Sequence, residues 1–522
     1  MFGRVMLIAK KFPLYSSRTS LRPYTIRHCF WSSCSSSLSS GDIGDNEGEN
    51  FENVMQILSL FHKNETNDRI IQQIHSRLVT AGFLLRQEND GRLLFFNSLL
   101  RCYSLGKSSL QAYSLYRQLQ QLHFLSVIHG KLPPFDSFTF SFLLKASANS
   151  RIFELGIGIQ GATMKLGFGS HVYVQTALVD FYVAAGNTVD AWKVFDGMPE
   201  RNPVTWNAMI GGLINWGELE RAVWLFETMP LRTVISWTIV IDGYVRMNVP
   251  EKAIHLFSRM VAYDRIKPNE ISILAILPAV SNLGDIRACR LIHGYVEKRG
   301  FVLSAIRVAN SLIDTYAKCG CIQSSFKFFS EIPEGRKDMV SWTSIISAFA
   351  MHGMGKEAIF TFKEMERFGL KPNGITLLSV LTACSHGGLA EDGLDVFNKT
   401  INKYQIKPDV KHYGCLVDML GRSGRLEEAE KIALEIPTKD KDDIIIWRIL
   451  LGACSFHGDA VMGERVTRKI MELERGYGGD YVLMSNILSS VGRFADAQKF
   501  RRLMDRRKAI KDPGHSQQAI AE

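Results

Sequence analysis

The sequence predicts an all-α fold, an α-solenoid of stacked helix-turn-helix repeats. Three observations carry the expectation. Trp206, Trp237, Trp342 and Trp447 recur in the related segments VTWNAMI, ISWTIVI, VSWTSII and IIWRILL, spaced by 31, 105 and 105 residues. The segments between them divide into units of 31 to 36 residues, each reading as two amphipathic helices around a glycine. No segment alternates apolar and polar residues with period two for long enough to argue a sheet.

The composition is compatible with such a fold. Of 522 residues, 46% are hydrophobic and 22% charged, enough apolar material to bury a large core. No run approaches 18 consecutive apolar residues, which excludes a membrane-spanning helix. Nine cysteines occur without any CxxC spacing, so neither a disulfide scaffold nor a Cys-rich zinc module is indicated. The formal charge is +10, and much of it sits at the amino terminus.

Residues 1–41 contain six basic residues, ten serines and no acid, the signature of an organelle transit peptide. Without them, 56 basic residues face 52 acidic ones, so bulk charge argues weakly for a nucleic-acid partner. A linker and a degenerate first repeat fill 42–92. The repeat array proper spans 93–443 in about ten units, ending at 136, 171, 202, 233, 269, 305, 338, 373, 409 and 443. In the unit 203–233 the first helix carries Trp206, Met209, Ile210 and Leu213, an i, i+3, i+4, i+7 stripe. Gly217 breaks it, and the second helix carries Ala222, Phe226 and Met229. That second stripe recurs as Ala191/Phe195/Met198, Ala253/Phe257/Met260 and Ala358/Phe362/Met365. Break glycines recur at Gly186, Gly320, Gly353 and Gly424. A hairpin of this kind buries its apolar face only by stacking on neighbours.

These residues resemble the pentatricopeptide repeat family, in its plant organellar subclass that alternates long, short and standard repeats. SWTSIISAFAMHGMGKEAIFTFKEMERFGLKPN (341–373) is similar to a standard repeat, NSLIDTYAKCGCIQSSFKFFSEIP (310–333) to a short one and LIHGYVEKRGF (291–301) to a long one. Residues 444–474 and 480–516 resemble the two E-type extension motifs that follow such arrays. The family pattern continues past Pro513-Gly514 with an aromatic, where this chain has Gln517 and Gln518. The resemblance implies a right-handed solenoid and sequence-specific single-stranded RNA binding in an organelle.

Two polar columns are the candidate site. One lies beside the apolar stripe near the start of each first helix: Asn97, Thr176, Asn207, Thr238, Asn310 and Thr343. The other is the last residue of the same unit: Asp136, Asn202, Thr233, Asn269, Asp338 and Asn373. Asn, Asp and Thr can address the Watson–Crick edge of an exposed base, one base per helical repeat. They also suit helix caps. The restricted, paired alternation over six units points to base reading. The resemblance implies adenine for Thr176/Asn202, Thr238/Asn269 and Thr343/Asn373. It implies uracil for Asn97/Asp136 and Asn310/Asp338, and a loosely read pyrimidine for Asn207/Thr233. Ser141, Leu274 and Leu378 occupy the first column in the long repeats, which act as spacers. The tryptophans lie on the apolar stripe and read as hairpin packing rather than base-stacking groups.

Other motifs fail on context. Gly156-Ile-Gly158-Ile-Gln-Gly161 spells GxGxxG, but inside a repeat's second helix, not after a strand. Cys319-Gly-Cys321 sits at a hairpin turn with no partner ligands of suitable spacing. His75 and His293 recur at one repeat position, which points to packing. The basic cluster Arg501, Arg502, Arg506, Arg507, Lys508 and Lys511 reads equally as a phosphate contact or a solvated helix face. Neither the HxE nor the PCxxC of a zinc deaminase occurs. The expectation is a non-enzyme with no cofactor or metal. By resemblance it is a mitochondrial (or else chloroplast) site-recognition factor for C-to-U RNA editing, which recruits a DYW-type deaminase and other editing factors through 444–522. Organellar RNA processing, splicing or stability is the alternative within the class, and a protein-binding helical scaffold the alternative outside it.

Overall fold

The computed structural model describes residues 71–73, 75–76, 89–106, 108–127, 135–436 and 443–509. The expectations for 1–41, for most of 42–92 and for the segment after residue 509 lie outside the described residues. Every regular element among the described residues is helical, and no β-strand occurs among them. Among the described residues, no helix is long and apolar enough to cross a membrane. The chain is an α-solenoid built in two compact units, Met1–Val240 and Ile241–Glu522.

In the first unit the hairpins are Asn89–Leu105 with Leu110–Val127, Ser137–Ser150 with Phe153–Lys165, Val172–Ala184 with Thr188–Asp196, and Pro203–Asn215 with Leu219–Thr228. Each first helix packs on its own second helix and on the first helix of the next hairpin. The second unit repeats the scheme from Glu270–Leu283 through Gly478–Ser490 with Phe494–Arg506.

The hairpin Met339–Met351 with Gly355–Arg367 shows why the sequence folds this way. Trp342, Ile345, Ile346 and Phe349 are buried, as are Ala358, Phe362 and Met365 opposite them. The first helix is enclosed by its own second helix and by Ile306–Lys318 and Gly374–Gly387 on either side. That enclosure explains why MVSWTSIISAFAM carries no charge, while GKEAIFTFKEMER is amphipathic. Gly353 closes the first helix at φ 69°, with Met354 N–H donating to the Phe349 carbonyl at 3.0 Å. This left-handed closure is nearly free of strain only for glycine. Asn248 takes the same role at φ 57°, with Val249 N–H on the Tyr244 carbonyl at 3.0 Å.

The tryptophans pack as expected from the stripe. Trp206 meets Phe195, Trp237 meets Phe226 and Trp342 meets Phe329, all edge-to-face with centroids 5.0, 4.8 and 5.1 Å apart. His75 and His293 also serve packing. Their Nδ1 atoms sit 2.9 and 2.8 Å from the hydroxyls of Tyr103 and Tyr316, and burial lowers the pKa of both rings. The GxGxxG string lies within Phe153–Lys165, and Cys319 to Cys321 form the turn after Ile306–Lys318, with Gly320 at φ 80°. Of the basic cluster, Arg501 donates to Ser485 Oγ at 3.0 Å and Arg507 to the Tyr481 hydroxyl at 3.1 Å.

A recurrent contact ties the helix ends together. The ring nitrogens of Trp216, His352, His386 and His457 donate to the carbonyls of Val183, Ala317, Ala350 and Gly421 at 2.7, 2.9, 3.0 and 2.8 Å. Each acceptor belongs to the last turn of the preceding first helix and also accepts the backbone N–H of the glycine three residues on, at 3.0 to 3.3 Å.

Candidate nucleic-acid interface

Several first helices begin where the preceding residue stays extended and turns its side chain onto the first backbone amides. Asp136, Asn202, Asn269, Asp338 and Asn373 all do this. Each accepts the backbone N–H three residues on, at 2.8 to 2.9 Å. The second column is therefore a column of caps. The cap occupies one side-chain oxygen; the Asn202 and Asn373 amides keep their NH2 groups without a partner among the described residues, whereas both Asp136 oxygens also accept from Asn97.

In four of the six pairs the two columns meet at the hairpin junctions, in two arrangements. Where Asn precedes Asp, the contact is direct. Asn97 Nδ2 donates to both Asp136 oxygens at 3.0 Å, and Asn310 Nδ2 to Asp338 Oδ1 at 3.1 Å. In Thr176/Asn202 and Thr343/Asn373, a third hydroxyl joins the pair. Thr205 Oγ1 lies 2.7 Å from Thr176 Oγ1 and 3.0 Å from Asn202 Oδ1. Thr376 repeats this in the other unit, 2.9 Å from Thr343 Oγ1 and 3.0 Å from Asn373 Oδ1. The remaining two pairs differ. Thr233 and Ser236 exchange hydrogen bonds at the start of Val234–Arg246, whereas Asn207 Oδ1 is buried without a partner. Thr238 is buried and donates to the Val234 carbonyl at 2.7 Å, and Asn269 accepts from Ser272.

Not every polar atom is used. Asn310 Oδ1, like Asn207 Oδ1, is buried and has no partner among the described residues. Asn97 Oδ1 instead receives the Thr139 hydroxyl at 2.8 Å. A buried carbonyl without a donor is costly unless something else supplies one.

Three features escaped the sequence reading. The first is the hydroxyl three residues after each cap: Thr139, Thr205, Ser236, Ser272, Ser341 and Thr376. Its signal was present, because DSFT, NPVT, TVIS, NEIS, DMVS and NGIT share one spacing, a variant of the capping box. The second is a column of exposed apolar residues three positions before the first polar column: Tyr173, Val204, Ile235 and Val340, with Phe138 and Ile375 at the same helix position in long repeats. Helical periodicity alone marks them only as off the core stripe. The third is Arg448, which follows Trp447 as Asn207 follows Trp206. Its guanidinium forms a fork on Asp480 at 2.9 and 2.8 Å, reaches Glu474 at 2.9 Å and lies 4.5 Å from the Tyr477 ring centre. At this repeat-like position the polar group is fully occupied by the protein. No group of three or more His, Cys, Asp or Glu residues among the described residues is placed to hold a metal.

Comparison with known proteins agrees with this architecture. PPR repeat descriptions match residues 176–203, 204–233, 235–264, 308–335 and 411–439, a PPR repeat family description matches 337–386, and an E motif matches 457–517. A mitochondrial pentatricopeptide repeat-containing protein of Arabidopsis thaliana is 63% identical over 97% of this chain and 99% of its own length. The chain belongs to the pentatricopeptide repeat family. The chloroplastic pentatricopeptide repeat-containing protein ELI1 of the same plant is 39% identical, over 85% of this chain and 67% of that protein. Among solved structures, the pentatricopeptide repeat protein PPR10 in complex with an 18-nt psaJ RNA element aligns over 84% of this chain and 72% of its own, with 16% identity and a TM-score of 0.44. Yeast Rmd9p in complex with a 16-nt target RNA aligns over 86% of this chain and 98% of its own, with 12% identity and a TM-score of 0.32. In this pentatricopeptide repeat protein the matched E motif begins at the C-terminal end of Asp443–His457, the helix that carries Arg448.

Proposed function

We propose that this pentatricopeptide repeat protein binds single-stranded RNA sequence-specifically, reads about one base per repeat, and selects a cytidine for C-to-U editing by a deaminase that docks on 444–522. The observation that carries the reading is the paired polar columns. Four of the six pairs are linked by hydrogen bonds at a hairpin junction, and the caps Asn202 and Asn373 keep their NH2 groups without a partner among the described residues. The exposed apolar column beside the pairs offers surfaces for base faces.

The test is selection from a random-sequence RNA pool with the full chain. The expected consensus is adenine, pyrimidine, adenine, an unread position, uracil and adenine, in the order of Thr176, Asn207, Thr238, Leu274, Asn310 and Thr343. A flat pool after selection removes the reading. The same protein incubated with its selected RNA should deaminate nothing, with or without added zinc, because the chain lacks HxE and PCxxC. Deamination by the chain alone would transfer the chemistry to this protein. In a line lacking the protein, one organellar cytidine should stay unedited.

The destination we propose is the mitochondrion, supported by the acid-free, Arg- and Ser-rich residues 1–41 and by the mitochondrial relative. Residues 1–41 fused to a fluorescent reporter should carry it into mitochondria, and diffuse cytosolic or plastid fluorescence contradicts the assignment.

A further inference from the structure

The two Thr/Asn pairs with a bridging threonine share one hydrogen-bonding logic, although they lie in different units. Asn373 Oδ1 faces the Thr376 backbone N–H at 2.9 Å. A backbone N–H only donates, so the atom facing it is the amide oxygen, and the NH2 must point away. The Thr376 hydroxyl, at 3.0 Å, reinforces that orientation. Asn202 is held identically by Thr205, at 2.9 Å from the backbone N–H and 3.0 Å from the hydroxyl. Neither Nδ2 has a hydrogen-bond partner among the described residues. Each Asn therefore offers an outward donor.

The threonine partner has the opposite polarity. Thr343 Oγ1 lies 2.8 Å from the Met339 carbonyl and 2.9 Å from Thr376 Oγ1. A hydroxyl has one proton, and both neighbours draw it inward. Its lone pairs remain, so Thr343 offers an outward acceptor. The pair thus presents one acceptor and one donor side by side. Adenine offers an amino donor beside a ring-nitrogen acceptor, and cytosine offers the same order. Uracil and guanine carry a carbonyl acceptor beside a ring N–H, the reverse order.

We propose that the hydroxyl residue three positions after the cap is a third determinant of base choice. Thr205 and Thr376 are positioning residues that hold the proton of Thr176 or Thr343 and the amide of Asn202 or Asn373. They make each pair select amino bases over keto bases. The bridging hydroxyl touches no base itself and is buried. This rests on the base-reading function proposed above.

The test compares full-length wild type, Thr376→Val and Thr376→Ser against the same random-sequence RNA pool. At the Thr343/Asn373 position the wild type should deplete guanine and uracil about tenfold, and Thr376→Val should bring both back to within about threefold of adenine. The valine removes one of the two inward contacts on the Thr343 hydroxyl and leaves only the Met339 carbonyl to hold its proton, so keto bases gain while preferences at the other repeats stay as they were. Thr376→Ser restores the hydroxyl and should restore the wild-type profile, as Ser272 holds Asn269 by the same two contacts at 2.9 and 3.0 Å. If Thr376→Val fails to fold, Thr376→Ala removes the same hydroxyl with a helix-favouring residue and should give the same profile. An unchanged profile in the hydroxyl-free variant overturns the proposal, and so does equal loss in the serine variant or loss spread over all positions. A wild type that shows no base preference at this position, whatever residue 376 is, sinks base reading itself and this inference with it.

Discussion

Replacing Asp480 by alanine should loosen the C-terminal hairpin by about 3 kcal/mol, because it strands the Arg448 guanidinium against a buried site. The side chains of Asp480 and Arg448 are only 7% and 19% exposed. Their fork joins Asp443–His457 to Gly478–Ser490. Glu474 stays beside Arg448, which keeps the expected loss at the lower end for a broken buried pair. The partners respond to burial in opposite senses: desolvation pushes the Asp480 carboxyl up, while the guanidinium beside it pulls it down. Removing both charges together, as Arg448→Met with Asp480→Leu, should cost less than about 1 kcal/mol, since no charge is left unpaired. Hydrogen exchange of the amides in Gly478–Ser490 measures the local opening directly, without assuming that a repeat protein unfolds in one step. Equal exchange in wild type and Asp480→Ala means the ion pair carries no stability. RNA selection by the double variant should match wild type, because the hydrogen bonds of Arg448 stay within the protein.

The second large effect is a change of base preference. Thr343→Asn with Asn373→Asp installs the pair found at Asn310 and Asp338, and should turn an adenine preference into a uracil preference. The swing should be about ten- to a hundredfold, from about 1–3 kcal/mol per mismatched base. The structure adds a condition that pair identity alone does not state. With Thr376 retained, the new pair copies Asn97/Asp136/Thr139, in which the threonine hydroxyl occupies the Asn97 oxygen at 2.8 Å. Adding Thr376→Ser copies Asn310/Asp338/Ser341, where Ser341 Oγ donates to Asp338 at 2.9 Å and the buried Asn310 Oδ1 has no partner among the described residues. The triple variant should therefore prefer uracil more strongly than the double. Titrations against RNAs differing at that one base decide it, and salt dependence should not change, since no phosphate contact is altered. If all three proteins rank the RNAs identically while folded, Thr343 and Asn373 are caps and nothing more.

The helical hairpins and the tryptophan packing were legible in the chain alone. Period 3.6 shows directly in stripes such as Trp206, Met209, Ile210 and Leu213, all of which are buried. Turn chemistry shows equally directly in Gly186, Gly217 and Gly353, because few residues other than glycine tolerate the left-handed closure these helices use. The two polar columns were legible too, as residue types repeating at fixed spacing. Their partners were not. Asn97 and Asn310 look equivalent in the chain, yet the Thr139 hydroxyl reaches Asn97 Oδ1 at 2.8 Å while Asn310 Oδ1 has no partner among the described residues. Whether Arg448 is a free cation or half of a closed ion pair depends on Asp480, 32 residues away. A repeat pattern determines which face each residue occupies, since that follows from helical geometry and burial of apolar surface. Which hydrogen-bonding atoms remain open is decided only when neighbouring hairpins stack, because a donor and its acceptor belong to different repeats and meet only in the folded chain.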